Sequence, residues 1–342
     1  MSRPTAYGVI VGSGIRGAGA AYFMARRGWR VHVVEVGEVG GGTSTATNAN
    51  LAPHNRDPLS PEFGLAMATA AMYASPEADF SADLEFRRCG RVMLAEDVNP
   101  LLAVGAYLRA VRRMGGQVWT QTPATRVRVE RGRVVEVQTP HDPIATGLVI
   151  DAARASAGAV ACMAGMPFDI TLVWGQLVVT EPVPSRGVGT WNEAAVVLHH
   201  HDRTGYAVRF LATRVASGNL LIGRCELAGE AQRRVILEAV APVLRRGVRF
   251  IPAIRDLRVI RIFAGIRPYS PDERAAIGLV PSPLGFALLA GFGDKGIGLS
   301  AGTRLLTQAL CGERPDLPLE PFDPARFSAR EPHIPALKGG PA

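Results

Sequence analysis

Three glycines near the start of the chain have the spacing of a phosphate-binding turn. Gly12, Gly14 and Gly17 fit the pattern GxGxxG, which follows a short apolar run and opens a helix-like stretch. The first glycine allows a tight bend, the second lets the backbone approach a pyrophosphate, and the third lets helix and strand pack closely. Glu35 ends the next apolar run, where its carboxylate can accept hydrogen bonds from a ribose diol. Together these residues predict a dinucleotide site at a helix N-terminus.

A second run, from Gly291 to Gly296, also fits GxGxxG between a strand-like and a helix-like segment. The acidic residue at comparable spacing, Glu313, lies in a turn and not at a strand end, so a second nucleotide site is not expected. A helix that begins near Gly298 would instead point its positive end at a flavin ring, whose reduced form carries negative charge near N1. We therefore favour FAD over NAD and expect Gly291, Gly296, Ile297 and Gly298 to contact it.

Arg267 is the candidate for substrate recognition. Pro268 restricts the residue before it to an extended conformation, which fixes the direction of the Arg267 guanidinium. A fixed fork of donors suits bidentate capture of a carboxylate. The alternative is a structural salt bridge, for example with Asp272, and the residues alone leave both interpretations open.

Other polar residues carry weaker signals. Thr43, Ser44 and Asn48 lie in a glycine-rich loop from which they could reach the phosphates or the ribityl chain. Tyr206 lies in a strand-like stretch and could line a substrate pocket, although packing explains it equally well. The three histidines 199–201 would alternate between opposite faces of an extended segment, and no carboxylate or cysteine stands at ligand spacing. We therefore predict no metal site.

The elements that must position these residues follow from the apolar pattern. Strands are expected at 7–11, 31–35, 85–94, 148–153 and 286–290, and several more between 171 and 265. Helices are expected at 15–27, 62–75, 99–114, 231–245 and 300–311. Alternation between 118 and 137 predicts an antiparallel hairpin, in which Val127 is a further cofactor-binding candidate. The Pro-rich tail after Gly312 is expected to be extended.

The composition narrows the class of protein. The chain has 342 residues, 47% hydrophobic and 20% charged, which are ordinary globular values that allow a sizeable core. A net charge of +8 favours anionic partners. The basic residues form no run of five or more, so nucleic-acid binding is not expected.

Cysteine usage and the apolar pattern bear on the compartment. The four cysteines lie far apart without a CxxC pair, which argues against disulfides and structural zinc. The sequence also shows no signal peptide and no stretch of about twenty apolar residues. These features predict a cytoplasmic protein and leave peripheral attachment to the inner face of a membrane open.

Six stretches of the chain carry a family resemblance. They are VIVGSGIRGAGAAYFMARRGWRVHVVE, GGGTSTATNANL, VNPLLAVGAYLRAVRRMGGQV, WGQLVVTEP, FAGIRPYSPDERAAIG and GFGDKGIGLSAGTRLLTQALCGE. In this order, and over nearly the whole chain, they resemble the FAD-dependent D-amino-acid oxidase family. The resemblance is to its branch of glycine oxidases, sarcosine oxidases and hydrogen cyanide synthases.

The resemblance implies an α/β fold with two domains. A discontinuous, Rossmann-like FAD-binding domain is expected from residues 1–55, 96–168 and 275–320, and a mixed α+β substrate domain from 56–95 and 169–274, with 321–342 as an extended tail. In this family a substrate amine loses its α-hydrogen as hydride to flavin N5, and no protein acid or base need take part. The arginine of the family's GLRP motif, which grips the substrate carboxylate, matches Arg267.

Three departures from the family pattern stand out. Ala95-Glu96-Asp97 replaces several helical turns of the substrate-domain shell. Arg154 stands where the family has a glycine that lets the chain pass close to the cofactor, so its side chain either intrudes on FAD or binds a phosphate. Phe292 replaces a histidine in the final glycine loop, whose tip is Asp294-Lys295.

These features predict an FAD-dependent oxidoreductase that oxidises the C–N bond of a small amine or amino acid with a carboxylate. Oxygen or another acceptor would take up the electrons. The alternative is a flavin-binding subunit or degenerate paralogue with little activity alone. Because a shortened shell would expose apolar surface, we also expect a homo-oligomer or a partner subunit.

Overall fold

A computed structural model describes residues 7–42, 44, 46–47, 50–51, 53, 56–75, 82–89, 95–183, 190–192, 207–229 and 232–327. Several residues singled out in the sequence lie outside these ranges, namely Thr43, Asn48, His54, Asn55, Tyr206 and the three histidines 199–201.

Strands and helices alternate over the first half of the described chain, and longer strands dominate the second. The strands are β1 (Tyr7–Val11), β2 (Arg30–Val34), β3 (Arg87–Cys89), β4 (Ala95–Asp97), β5 (Gln117–Trp119), β6 (Arg126–Glu130), β7 (Arg133–Gln138), β8 (Ile144–Ala145), β9 (Leu148–Asp151), β10 (Thr171–Pro182), β11 (Thr190–Asn192), β12 (Ala207–Arg214), β13 (Asn219–Ala228), β14 (Val259–Tyr269), β15 (Ala276–Leu279) and β16 (Phe286–Ala290). The helices are α1 (Ile15–Ala25), α2 (Pro61–Ala74), α3 (Pro100–Arg113), α4 (Ala157–Met163), α5 (Val240–Phe250) and α6 (Ala301–Leu310).

The first layer is a six-stranded sheet of order β15-β16-β9-β1-β2-β5. Strand β1 pairs in parallel with β2 and β9, and β16 pairs in parallel with β9. All five residues of β16 are apolar and fully buried, as a strand covered on both faces requires. Because the carboxyl ends of parallel strands share one edge, the turns after β1, β2 and β9 meet there. The predicted α/β fold is confirmed.

Helices α1, α3 and α6 cover this sheet in one hydrophobic cluster. Its centre is aromatic, with the ring centroids of Tyr22 and Tyr107 5.2 Å apart. Helix α2 packs into the same cluster through Leu65 and Ala70. Helix α2 lies within residues 56–95, which are expected in the substrate domain, and its apolar face is buried in the cluster of the six-stranded sheet.

A second, five-stranded sheet has the order β11-β12-β13-β10-β14 and is antiparallel. It packs against α5 around Trp174, Phe210 and Val243. Together with α5 it forms the predicted mixed α+β unit, and it contains the predicted strands near 171, 205, 219 and 258. None of the described helices is long and apolar enough to cross a membrane.

Helix α5 begins nine residues later than the predicted start at 231. The side chains of Trp174 and Gln176 explain the shift, because they hold the preceding segment by its backbone. Trp174 Nε1 donates to the Arg234 carbonyl (2.9 Å), and the Gln176 amide pairs with Ile236 N (2.8 Å) and O (3.0 Å). Backbone groups engaged in this way do not form helical hydrogen bonds.

Two further expectations need correction. The single strand predicted at 85–94 is instead β3, which pairs antiparallel with β4 from the short Ala95–Asp97 junction. The tail is not extended over 320–327, where 3₁₀ turns bury Phe322 and Phe327. Apolar anchoring overrides the extended conformation that its prolines suggested.

The packing of α1 on β1 leads to a test of stability. A Cβ atom at Gly17 would collide with the carbonyl oxygen of Gly12. We expect Gly17→Ala to cost about 2 kcal/mol or more and to lower the melting temperature by roughly 4 °C or more. Gly147→Ala is the matched control, because a Cβ there meets nothing within 4 Å. Equal thermal unfolding curves for the two variants would contradict this account.

Candidate active site

The glycine turn after β1 has the geometry of a phosphate-binding turn. Gly12 has φ +105°, and a Cβ atom there would lie 2.6 Å from the Ala152 carbonyl oxygen. Its amide donates to the Val34 carbonyl at 2.8 Å, which ties the turn to β2. Helix α1 follows directly with Gly14 as its N-cap residue. The free N–H groups and partial positive charge of the helix therefore face the edge where the parallel strands end.

Glu35 is held in place by the same turn. Its Oε2 atom accepts hydrogen bonds from the backbone N and Oγ of Ser13, both at 2.7 Å, and its Oε1 accepts from Gly37 N at 3.1 Å. The residue is 8% exposed. A carboxylate oxygen has two acceptor sites, so this arrangement fixes the group and leaves capacity for a ligand hydroxyl.

A cleft of about 790 Å³, including its open mouth, lies between the glycine turn and the second sheet. It contains five of the sequence-predicted residues, namely Gly14, Ser44, Gly296, Ile297 and Arg267. Its remaining described lining is Ile15, Arg16, Ala46, Thr47, Pro100, Ala152, Arg154, Leu177, Leu211, Arg224, Pro268, Gly293 and Asp294. The cleft is thus formed by both sheets and by the two glycine loops.

Three cofactor-binding candidates do not line the cleft, and a fourth, Ser44, lines it but is already engaged by the protein. Val127 is 2% exposed in an apolar cluster and does not line the cleft. Gly291 has φ +70° and packs on Ser270, and a Cβ atom at Gly298 would lie 2.7 Å from the Leu51 carbonyl oxygen. Ser44 Oγ accepts from Ile15 N at 3.2 Å, so in this structure it caps α1.

The final glycine loop, which begins at Gly291, contains a 3₁₀ turn where the start of a helix was expected. A 3₁₀ turn at Ile297–Leu299 precedes α6, which begins at Ala301 and not near Gly298. Thr69 Oγ1 accepts from the amide of Ala301 at 2.9 Å. One of the free N–H groups of α6 is therefore satisfied within the protein, and Gly296 and Ile297 present the loop to the cleft.

Arg267 lies in a cluster of opposite charges on the substrate sheet. Its Nη1 atom is 3.0 Å from Glu226 Oε1, which is also 3.2 Å from Arg224 Nε. Arg224 Nη1 then donates to Asp294 Oδ2 at 3.1 Å. The predicted partner Asp272 is not involved, because it pairs with Arg326 at 2.8 Å.

Gly175 leaves space for the Arg267 side chain above the sheet. Strand β10 lies between β13 and β14, with Gly175 opposite both Glu226 and Gly265. A Cβ atom at Gly175 would collide with Arg267 Nη1. The Arg267–Glu226 contact therefore passes over the central strand where that strand has no side chain.

Burial and charge set the protonation of this cluster. Burial raises the pKa of Asp294, but Arg224 and Arg267 outweigh it and hold that pKa below its ordinary value. Burial also raises the pKa of Tyr269, with a further contribution from Asp294. At neutral pH the cluster therefore contains an ionised Asp294 and a protonated Tyr269.

Two arginines lie at the glycine-turn end of the cleft. Arg16 stacks its guanidinium on Phe292 at 4.3 Å from the ring centroid. Burial and, to a lesser extent, the charge of Arg154 lower the pKa of Arg16 to about 9, against the opposing effect of Asp151. The Arg154 guanidinium occupies the space beside Gly14 and Gly42, where a Cβ on either glycine would collide with it. This end of the cleft is therefore strongly basic.

Sequence reasoning missed Arg16, Arg224 and Glu226. The Arg224-Cys225-Glu226 alternation places both charges on one face of a strand, and that signal was available. Arg16 is hidden inside the glycine motif, where the pattern leaves its position unspecified. Within the described residues, no group of three or more His, Cys, Asp or Glu side chains could hold a metal ion.

A comparison with protein families identifies the fold. The family model described as FAD dependent oxidoreductase (DAO) matches residues 9–98 and 95–309. The chain belongs to this family. The two matched segments overlap at residues 95–98, which include the short Ala95–Asp97 junction, and FAD is the cofactor.

Individual proteins agree with this assignment. The chain is 23% identical to glycine oxidase of Bacillus subtilis, over 88% of this chain and 92% of that protein. It is 29% identical to hydrogen cyanide synthase subunit HcnC of Pseudomonas aeruginosa, over 67% of this chain and 52% of that protein. The crystal structure of glycine oxidase from Geobacillus kaustophilus superimposes with a TM-score of 0.82 at 21% identity, covering 93% and 98% of the two chains.

The residues of the cleft fit FAD. Gly14 lines the cleft, and the side chain beside it, Arg154, is a cation. The carboxylate of Glu35 lies at the end of β2, the position suited to a ribose. Contacts of FAD with Gly12, Gly14, Gly17, Glu35, Ser44, Gly296 and Ile297 stay a prediction.

Substitution of Glu35 tests the ribose assignment. Glu35→Ala removes charge-assisted hydrogen bonds worth about 1.5–3 kcal/mol each, so FAD should bind roughly tenfold or more weakly. Glu38→Ala is the matched control, because Glu38 is an exposed carboxylate in the same loop. The measurement is the ratio of FAD to protein after purification and dialysis. Full occupancy in Glu35→Ala would show that the ribose lies elsewhere.

Proposed function

We propose that this oxidoreductase oxidises the C–N bond of a small amino acid or amine that carries a carboxylate. The observation that supports this function is the hydrogen bonding of the Arg267 guanidinium. Its Nη1 atom is buried and, among the described residues, has no hydrogen-bond partner of good geometry, although Glu226 Oε1 is 3.0 Å away. Because a buried donor needs an acceptor, a substrate carboxylate is the natural partner.

Each residue of the cluster then has a separate task. Arg267 binds the carboxylate, Glu226 fixes Arg267 by charge, and Gly175 leaves space for both. Leu177 and Leu211 give the cleft an apolar wall, which excludes water and accepts a small side chain. FAD, when bound, would supply the two-electron acceptor for a hydride from the substrate α-carbon.

No residue of this cluster needs to exchange a proton with the substrate. The pKa of Asp294 is lowered chiefly by Arg224 and Arg267 against the effect of burial, and burial raises that of Tyr269. Neither group changes its protonation state near neutral pH. Alignment of the substrate C–H bond is therefore the protein's main contribution, and hydrolysis of the imine product by water completes the reaction.

The substitution Arg267→Ala tests the carboxylate assignment. Truncation of one partner of a desolvated charge pair costs about 2–5 kcal/mol, so kcat/KM for a carboxylate substrate should fall roughly thirtyfold or more. FAD content should stay unchanged. Arg261→Ala, in the exposed part of the same strand, is the control and should keep its activity. An unchanged kcat/KM in Arg267→Ala would leave this residue a structural role only.

Gly175→Ala tests the positioning of Arg267 without removing its charge. The added methyl group would displace the guanidinium, so KM should rise while FAD content and the thermal stability of the sheet change little. Addition of the same methyl at Gly147, where space is open, should leave KM unaltered. A wild-type KM in Gly175→Ala would contradict the proposed geometry.

A flavin-binding subunit that needs a partner is the second candidate, and exposed apolar side chains favour it. Leu237, Phe250 and Ile260, all from the substrate-sheet unit, are 68%, 51% and 59% exposed. We propose that these side chains belong to a surface that is covered in an assembly. We predict that the purified chain self-associates or turns over poorly alone. Light scattering that shows a monomer with full amino-acid oxidase turnover would exclude this candidate.

A further inference from the structure

Arg154 has an unusual backbone conformation for its residue type. It follows β9 with φ +58°, in the left-handed region that glycine adopts most easily. A non-glycine residue persists there only where the surrounding structure requires it. The residue as a whole is only 9% exposed, so its side chain is buried as well. The chain therefore holds a long cationic side chain in a buried and strained position.

The surroundings of this guanidinium are electrostatically unfavourable. It lies beside Gly14, the N-cap residue of α1, where the helix carries partial positive charge. Burial lowers the pKa of Arg154, the charge of Glu35 counteracts this, and Arg233 adds to the lowering. Within the described ranges no carboxylate reaches ion-pair distance of Arg154. A buried charge without a partner is destabilising unless a ligand supplies the counter-charge.

The two neighbouring arginines, Arg16 and Arg233, make other contacts. Arg16, the second arginine here, is directed at the Phe292 ring and toward Gly296. Arg233 donates from Nη1 to the Gly41 carbonyl at 2.5 Å, which anchors the glycine-rich loop. Both add positive potential around Arg154 without filling the space between Gly14 and Gly42. The point at which the N-terminus of α1, Gly14 and the Arg154 guanidinium converge therefore has the character of an anion site.

We propose that Arg154 binds the diphosphate of FAD beside Gly14, as a phosphate-binding residue that this chain adds to the glycine turn. A diphosphate brings two negative charges to a place where, among the described residues, no carboxylate forms an ion pair with Arg154. The guanidinium offers paired donors of fixed geometry to its oxygens. The inference rests on FAD as cofactor and is independent of which substrate is oxidised. Of the two roles that the sequence leaves open for Arg154, this proposal selects phosphate binding.

The test is the affinity of Arg154→Gly for FAD and for riboflavin, which lacks the diphosphate. Flavin fluorescence on dilution and re-addition to the purified holoprotein measures both. We expect FAD to bind roughly 10- to 100-fold more weakly, which corresponds to a charge-assisted hydrogen bond, and riboflavin to bind unchanged. Added NaCl should weaken FAD binding less in the variant than in the parent protein. Arg154→Lys should recover part of the affinity.

Arg131→Gly is the matched control. Arg131 also has a left-handed backbone, with φ +49°, but it is exposed in the turn between β6 and β7. It should leave both affinities unchanged. Because glycine relieves strain at residue 154, the flavin-free Arg154→Gly protein should melt at or above the temperature of the parent, which excludes misfolding as the cause. Equal or tighter FAD binding by Arg154→Gly would overturn the proposal, as would an equal loss of FAD and riboflavin.

Discussion

Helix α1 can approach strand β1 only because Gly17 has no side chain to meet the carbonyl of Gly12. This contact fixes the start of α1 at the middle of the six-stranded sheet, where β1 lies between β2 and β9. The carboxyl ends of those three strands then deliver the glycine turn, Glu35 and Arg154 to one place. The cofactor end of the cleft thus follows from one backbone approach. Any change that moves α1 outward would displace its dipole from the anion that it serves.

The substrate end of the cleft also depends on a glycine that has no side chain. Gly175 leaves the centre of β10 bare, so charges from the strands on either side can meet above it. The two ends are connected through the glycine-rich loop. Ala46 of that loop packs against Gly265 of β14, and the Gly41 carbonyl accepts from Arg233. Since one loop touches both units, the position of the substrate sheet relative to the glycine turn is set by local packing at its glycines.

The regular parts of this molecule could be read from the sequence, and the reasons are local. Periodic apolar runs gave the parallel strands, and a glycine turn between β1 and α1 has few structural alternatives. The start of α5 could not be found, because side chains sixty residues away hold its leading segment. The partner of Arg267 was equally hidden. Its nearest acid in sequence, Asp272, pairs with Arg326, and only strand order brings Glu226 close.

The two ends of the cleft differ in how completely their charges are balanced. At the substrate end Arg224 and Arg267 face Glu226 and Asp294, so the cluster is close to neutral. A zwitterionic amino acid is itself neutral, and such a cluster binds it by orienting hydrogen bonds without strong attraction for anions in general. At the cofactor end Arg154 has no described acid within ion-pair distance. That imbalance suits a ligand with two negative charges, which the protein must hold through many turnovers. Because attraction between charges is strongest where water is excluded, the buried Arg154 guanidinium is suited to holding a charged cofactor.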